Sequence, residues 1–197
     1  PSATPMVKVT SRVAQEHAIT AIASTPRRAA TPPTAKQALS TAQTVAIETV
    51  DIAALKTSQI VALSTAGIAA LTVEQVGALS TADVVALGTS QTAALTNEQI
   101  VALSTSQIAS LGTANIAALT TSQVAAIETA DIAVLKTSQI AALKTSQVAA
   151  LTTDQVVALT TSQVSNLTTA NIAALTTSQV AAMETVDIAA LKTSQIV

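Results

Sequence analysis

Three groups of charged residues recur with identical spacing: Glu48/Asp51/Lys56, Glu128/Asp131/Lys136 and Glu184/Asp187/Lys192. Two carboxylates three residues apart, with an amine close by, are the residue types of acid–base work or cation binding. A plainer account serves the same residues. Asp near a helix N-terminus and Lys near its C-terminus complement the helix dipole, each worth a few tenths of a kcal/mol. The rest of the chain offers these triples no chemical company. His17 is the only histidine, and no constellation of partners accompanies it. Cysteine is absent, which excludes disulfides and thiolate metal sites. Four glycines are too few for a phosphate-cradling loop or a glycine-rich calcium repeat. Ser and Thr are plentiful, but the repeats hold no base to activate a hydroxyl. The expectation is a protein that is not an enzyme, with no catalytic, cofactor-binding or metal residues.

The elements that carry these residues are more informative. From Leu39 to Val197 one eight-residue phrase is repeated about twenty times; residues 121–152 read TSQVAAIE, TADIAVLK, TSQIAALK, TSQVAALT. Such tandem units form stacks in which each covers the apolar face of its neighbour. The octad can be numbered from Gln59. Its second column is Ile or Val except at Thr44 and Thr92, and its fifth is Leu except at Ile47, Ile127 and Met183. Columns three and four are small, and column seven is almost always Thr.

A continuous helix fails on arithmetic, because eight residues turn through about 800° and the apolar stripe drifts by ~80° per repeat. In a strand, columns two and five have opposite parity and face opposite sides. In a short helix they stand at i and i+3 and share a face. Many octads show the Thr-x-x-Gln spacing of a capping box, as in Thr120 to Gln123. The reading is an all-α solenoid of very short helices, one per octad, that persist only by stacking. A β-solenoid is the alternative. The near-invariance of Thr in column seven points to that residue as the cap or as a stacked hydroxyl row.

Two kinds of octad alternate. Most begin with Gln; others begin with Asp, Asn or Gly, at positions 51, 67, 83, 115 and 131, all separated by multiples of sixteen. This spacing predicts a layer of two octads, 16 residues. Positions 171 and 187 then slip by an odd number of octads, so either side must accept either kind.

The chain divides into a Pro/Ser/Thr-rich, partly ordered leader at 1–38 and the octapeptide solenoid at 39–197. The leader is basic, whereas the repeats carry four Lys against ten Asp or Glu. That sign argues against nucleic acid as a partner of the repeats. No apolar run approaches the ~18–20 residues of a membrane span. With no Phe, Tyr or Trp in the chain, the core must be thin and aliphatic.

The Leu-Thr-Thr-x-Gln-Val-x-Ala-Leu pattern resembles the tandem octapeptide segments of large bacterial proteins described as adhesin-like or hook-length-like. The resemblance covers about four-fifths of the chain. It implies a bacterial origin and an extracellular or cell-surface role. The expected function is structural: a stalk, spacer or filament-forming subunit whose partner is itself, stacked head to tail. Val197 falls inside an octad with no polar terminal repeat, and uncapped solenoid ends invite such stacking. The alternatives are a Thr-array surface binder for ice or mineral, which requires β-layers ~4.8 Å apart, and a peptide-binding solenoid.

Overall fold

The computed structural model describes residues 40–196, which form nineteen α-helices of four to six residues and one closing 3₁₀ turn, Thr193–Gln195. The leader at 1–38 and His17 lie outside the described residues. The first ten helices are α1 (Thr41–Val45), α2 (Thr49–Ala54), α3 (Thr57–Ile60), α4 (Thr65–Ala70), α5 (Val73–Gly77), α6 (Thr81–Ala86), α7 (Thr89–Ala93), α8 (Asn97–Val101), α9 (Thr105–Ser110) and α10 (Thr113–Ala118). Nine more follow at the same period, α11 (Thr121–Ala126) to α19 (Thr185–Ala189). The all-α solenoid, one helix per octad, is what the sequence predicts. There is no strand among the described residues, so the β-solenoid alternative and its 4.8 Å hydroxyl lattice do not occur here.

Each octad starts its helix in the same way. The sixth-column residue is the N-cap, with extended backbone: Thr120 has φ −72° and ψ 161°. Its hydroxyl accepts from the N–H three residues on, Gln123 N to Thr120 Oγ1 at 3.2 Å. The expectation of a seventh-column cap is therefore corrected. That Thr is the first helical residue, one position too late for its side chain to reach back to the free N–H groups. The helix ends within two turns, at the fifth-column residue or one or two positions before it, and the chain then runs into the corner. The fifth-column residue and the next cap are both extended, as at Leu71 (φ −58°, ψ 142°) and Thr72 (φ −73°, ψ 162°). No glycine or left-handed residue is needed at these corners.

Two extended residues turn the chain by a third of a circle rather than reversing it. Each helix accordingly packs on the third helix along: α7 on α4 and α10, α9 on α6 and α12. A layer is three octads, 24 residues, and the stack is three-sided. The two-octad, 16-residue layer predicted from the sequence is wrong. The spacing by sixteen reflects which octads were copied, not which ones touch. The near-repeat of Asn115–Ile140 at Asn171–Ile196 is displaced by seven octads and falls on a different side, so the three sides are interchangeable.

Column two and column five point inward from all three sides. The interior Ile and Val of column two are at most 1% exposed, from Ile52 to Val164, and the fifth-column Leu and Ile side chains from Leu63 to Leu167 are 2–6% exposed. Full burial of such a side chain contributes about 1.5–3 kcal/mol, which offsets the intrinsic instability of helices this short. Three aliphatic pairs fill each layer without any aromatic residue, the thin core that composition demanded.

Candidate functional site: a ladder of buried glutamines

The first-column Gln lies at the third position of its helix, where its side chain can fold back on the cap. Its Oε1 accepts the N-cap N–H, as in Thr120 N to Gln123 Oε1 at 2.7 Å. That half is local and follows from the capping-box spacing. The other half is not local. Gln123 Nε2 donates to Leu95 O at 2.6 Å, Thr92 O at 3.2 Å and Ala93 O at 3.3 Å, all in the layer beneath. Eleven glutamines donate in this way to the carbonyl 28 residues earlier, at 2.5–2.9 Å. These eleven side chains are all at least 93% buried.

The acceptors are carbonyls at the C-terminus of a short helix; the second-column one also accepts the fifth-column N–H, as Thr92 O does from Leu95 N at 3.3 Å. One Gln thus satisfies a free N–H in its own layer and helix-end C=O groups in the next. Such a bond contributes about 1 kcal/mol net, but leaving its buried partner unsatisfied costs about 1–3 kcal/mol. The ladder therefore acts chiefly by avoiding a penalty that would recur at every joint.

Where column one is shorter, the joint is built differently. Asn115 Nδ2 reaches Leu87 O at 2.8 Å and Thr92 Oγ1 at 2.7 Å, and Asn171 Nδ2 reaches Leu143 O at 3.0 Å. Thr92 is one of two hydroxyls in the otherwise aliphatic second column, and both are fully buried. The other, Thr44, lies under Gly67, whose missing Cβ would stand 3.5 Å from Thr44 Oγ1. Each Thr stands 23 residues before a short first-column residue. Sequence reasoning missed both pairs, although that interval was visible once a 24-residue layer was considered.

The charged triples do not assemble into a centre. Asp131 and Asp187 are buried first-turn residues in column one, and Asp51 is half-buried in α2. Glu48, Glu128 and Glu184 are exposed N-caps without a side-chain capping bond. Lys56, Lys136 and Lys192 are themselves N-caps of the following unit, so only the Asp half of the dipole explanation holds without conflict. Among the described residues no three His, Cys, Asp or Glu side chains are grouped to hold a metal ion. Two exposed carboxylates are tuned locally. Glu74 and Glu98 are held below the usual glutamate range by their own backbone N–H and by the hydroxyls of Thr72 and Thr96. Every other polar contact described here is spent on holding the stack together.

A family model described as the ALTTAQ repeat matches the chain in five tandem stretches: residues 44–81, 77–105, 98–126, 124–161 and 156–185. Its name spells the corner and the ladder residue, present here as Ala118-Leu119-Thr120-Thr121-Ser122-Gln123. No curated protein matches the chain, and no solved structure does.

Proposed function

The chain belongs to the ALTTAQ-repeat family, and from that premise we propose that it is a structural element, a stalk, spacer or filament subunit at a bacterial surface that stacks end to end on itself. The observation that carries this reading is the translational sameness of the joints. Every layer offers bare Ile, Val and Leu with open carbonyls on one face and ladder donors on the other. Such an interface is heterologous, and a heterologous interface that does not close into a ring propagates.

No helix among the described residues is long and apolar enough to cross a membrane. The surface location rests on the resemblance to exported octapeptide proteins.

The dimensions make a test direct. Roughly six and a half layers at about 9 Å each give a rod about 60 Å long. Small-angle scattering and electron microscopy over a concentration series should show lengths growing in multiples of that rod. Particles that stay at one length at every concentration would refute end-to-end assembly and leave a monomeric spacer.

A further inference from the structure

The charges on one side of the stack are sorted along its axis. That side is built from α2, α5, α8, α11, α14 (Thr145–Ala149), α17 (Thr169–Ala173) and the closing 3₁₀ turn, each packed on the next. Its first three octads carry the exposed Glu48, Glu74 and Glu98, together with half-buried Asp51. Its fifth and seventh carry the exposed Lys144 and Lys192. The fourth octad, residues 120–127, and the sixth have no charge at all. Each of the other two sides has a single Lys among the described residues, Lys56 or Lys136.

A second copy turned end for end, about an axis lying across this side at the fourth octad, sets octad one against seven, two against six and three against five. Glu48 then meets Lys192 and Glu98 meets Lys144, each twice by symmetry, and no acid meets an acid. Glu48, Lys144 and Lys192 are all sixth-column caps, and this rotation keeps that edge of the side against itself. Sliding the copy by one octad in either direction leaves one kind of match, Glu74 with Lys144 or with Lys192. A parallel copy in register sets acid beside acid and Lys beside Lys.

The surface between the charges admits close approach. In columns three and four the first six octads of this side hold Ala throughout, except for Gly77 and Val101. In the antiparallel arrangement exposed Val101 faces Ala149 and Gly77 faces Ala173. The other two sides interrupt these columns with Ser110, or with Ser165 and Asn166. A side about 60 Å long and about 10 Å wide buries about 600 Å² on each copy, about 1,200 Å² in all, the lower end for a specific pair.

We propose that this side is a docking surface for a second copy of the chain, paired antiparallel about residues 120–127 by complementary charge. The pairing is lateral and does not depend on end-to-end stacking, whose joint uses columns two and five and the ladder. Glu48, Lys144 and Lys192 make no side-chain capping bond, so reversing them leaves the helix starts intact.

The experiment uses the full chain as wild type, K144E/K192E and E48K/E98K, with circular dichroism to check that each keeps its helices. Sedimentation at low salt, over a series reaching about 0.1 mM, should show the wild type pairing, and the pairing should weaken as salt rises. Each variant alone sets like charges together and should lose at least about tenfold in affinity. Mixed in equal amounts, the two variants restore all four opposite-charge contacts and should pair as the wild type does. The chain has no Cys, so a spin label on S122C, an exposed position in the fourth octad, reports the geometry in an otherwise unchanged chain. Labels should lie within about 20 Å of each other in the lateral pair, against about 60 Å in rods joined end to end. A wild type that stays monomeric throughout the series, variants that pair as tightly as the wild type, a mixture that does not recover, or labels never closer than the rod length each overturn the proposal.

Discussion

Gln123→Met separates the ladder from the aliphatic core. Methionine matches glutamine in length and flexibility, so it leaves no cavity of consequence and keeps the helix former. It removes the bond from Thr120 N to Oε1 and the bonds from Nε2 to Leu95, Thr92 and Ala93 carbonyls. Thr120 is exposed, so its N–H can turn to water at little cost. The Leu95 carbonyl cannot, because that joint is buried. Losing one strong bond at ~1 kcal/mol and stranding one buried carbonyl at about 1–3 kcal/mol gives a destabilisation of about 2–4 kcal/mol. In urea unfolding followed by circular dichroism, that shifts the midpoint downward by about 1–2 M, with an m-value of about 2 kcal/mol/M. Hydrogen exchange should place the loss at the joint between residues 92–96 and 119–124. If instead Gln123→Met is as stable as the wild type or more so, apolar packing alone holds the layers and the ladder is incidental.

The Thr92–Asn115 pair should behave as one unit: Thr92→Ile removes the acceptor of Asn115 Nδ2 and Asn115→Gln restores the ladder, so a double-mutant cycle should show coupling of about 1–2 kcal/mol. Thr92→Ile alone costs stability and the double variant regains it; additive effects would mean the pair is coincidental. Glu74 and Glu98 are held below their ordinary range, so each contributes stability that is present above the unfolded value and lost as pH falls through the folded one. E74Q and E98Q should therefore flatten the acid side of the stability profile measured by urea unfolding. Deleting residues 121–128 removes one whole octad and should leave a cooperatively folding helical stack whose later layers are turned by a third of a circle. Deleting 121–124 alone should destroy the downstream core, since Ile and Val then fall out of column, and the two circular dichroism spectra will differ accordingly.

Much of the fold was written into the octad itself. Ile116 and Leu119 share a face only in a helix, so helix type followed from parity; the start did not follow as directly, since the near-invariant Thr of column seven pointed one residue past the sixth-column cap that the Thr120 to Gln123 spacing marks. The number of octads per layer was not written there in the same way. It depends on how far a corner turns, and the corner is made of residues such as Leu119 and Thr120 in extended conformations open to almost any side chain. Nothing in their identity distinguishes a third of a turn from a half. The first-column residues at 51, 67, 83, 115 and 131 offered a spacing of sixteen, but copying can impose a spacing that packing does not share.

The ladder could have been found by asking what the whole glutamine side chain does. A capping box uses only Oε1, and glutamate serves that role as well as glutamine. Yet the first column of this chain contains Gln, Asn, Asp and Gly and never Glu. A long side chain at this position is always the amide and never the acid of equal length, so where the side chain is long enough to cross the joint it is the donor that is kept; the four Asp, at 51, 83, 131 and 187, are shorter and carry only a local role at the helix N-terminus. A buried amide must place its N–H₂ against an acceptor, and the intrahelical bonds leave no acceptor within its own octad except at the helix C-terminus, which points away from it. The partner therefore had to come from a different layer. The pairs Thr44–Gly67 and Thr92–Asn115 then fix which layer, since an interval of 23 residues fits three octads less one residue and fits no two-octad layer. The interlayer bond and the three-sided stack are in this sense one inference, and both rest on reading column one as a donor.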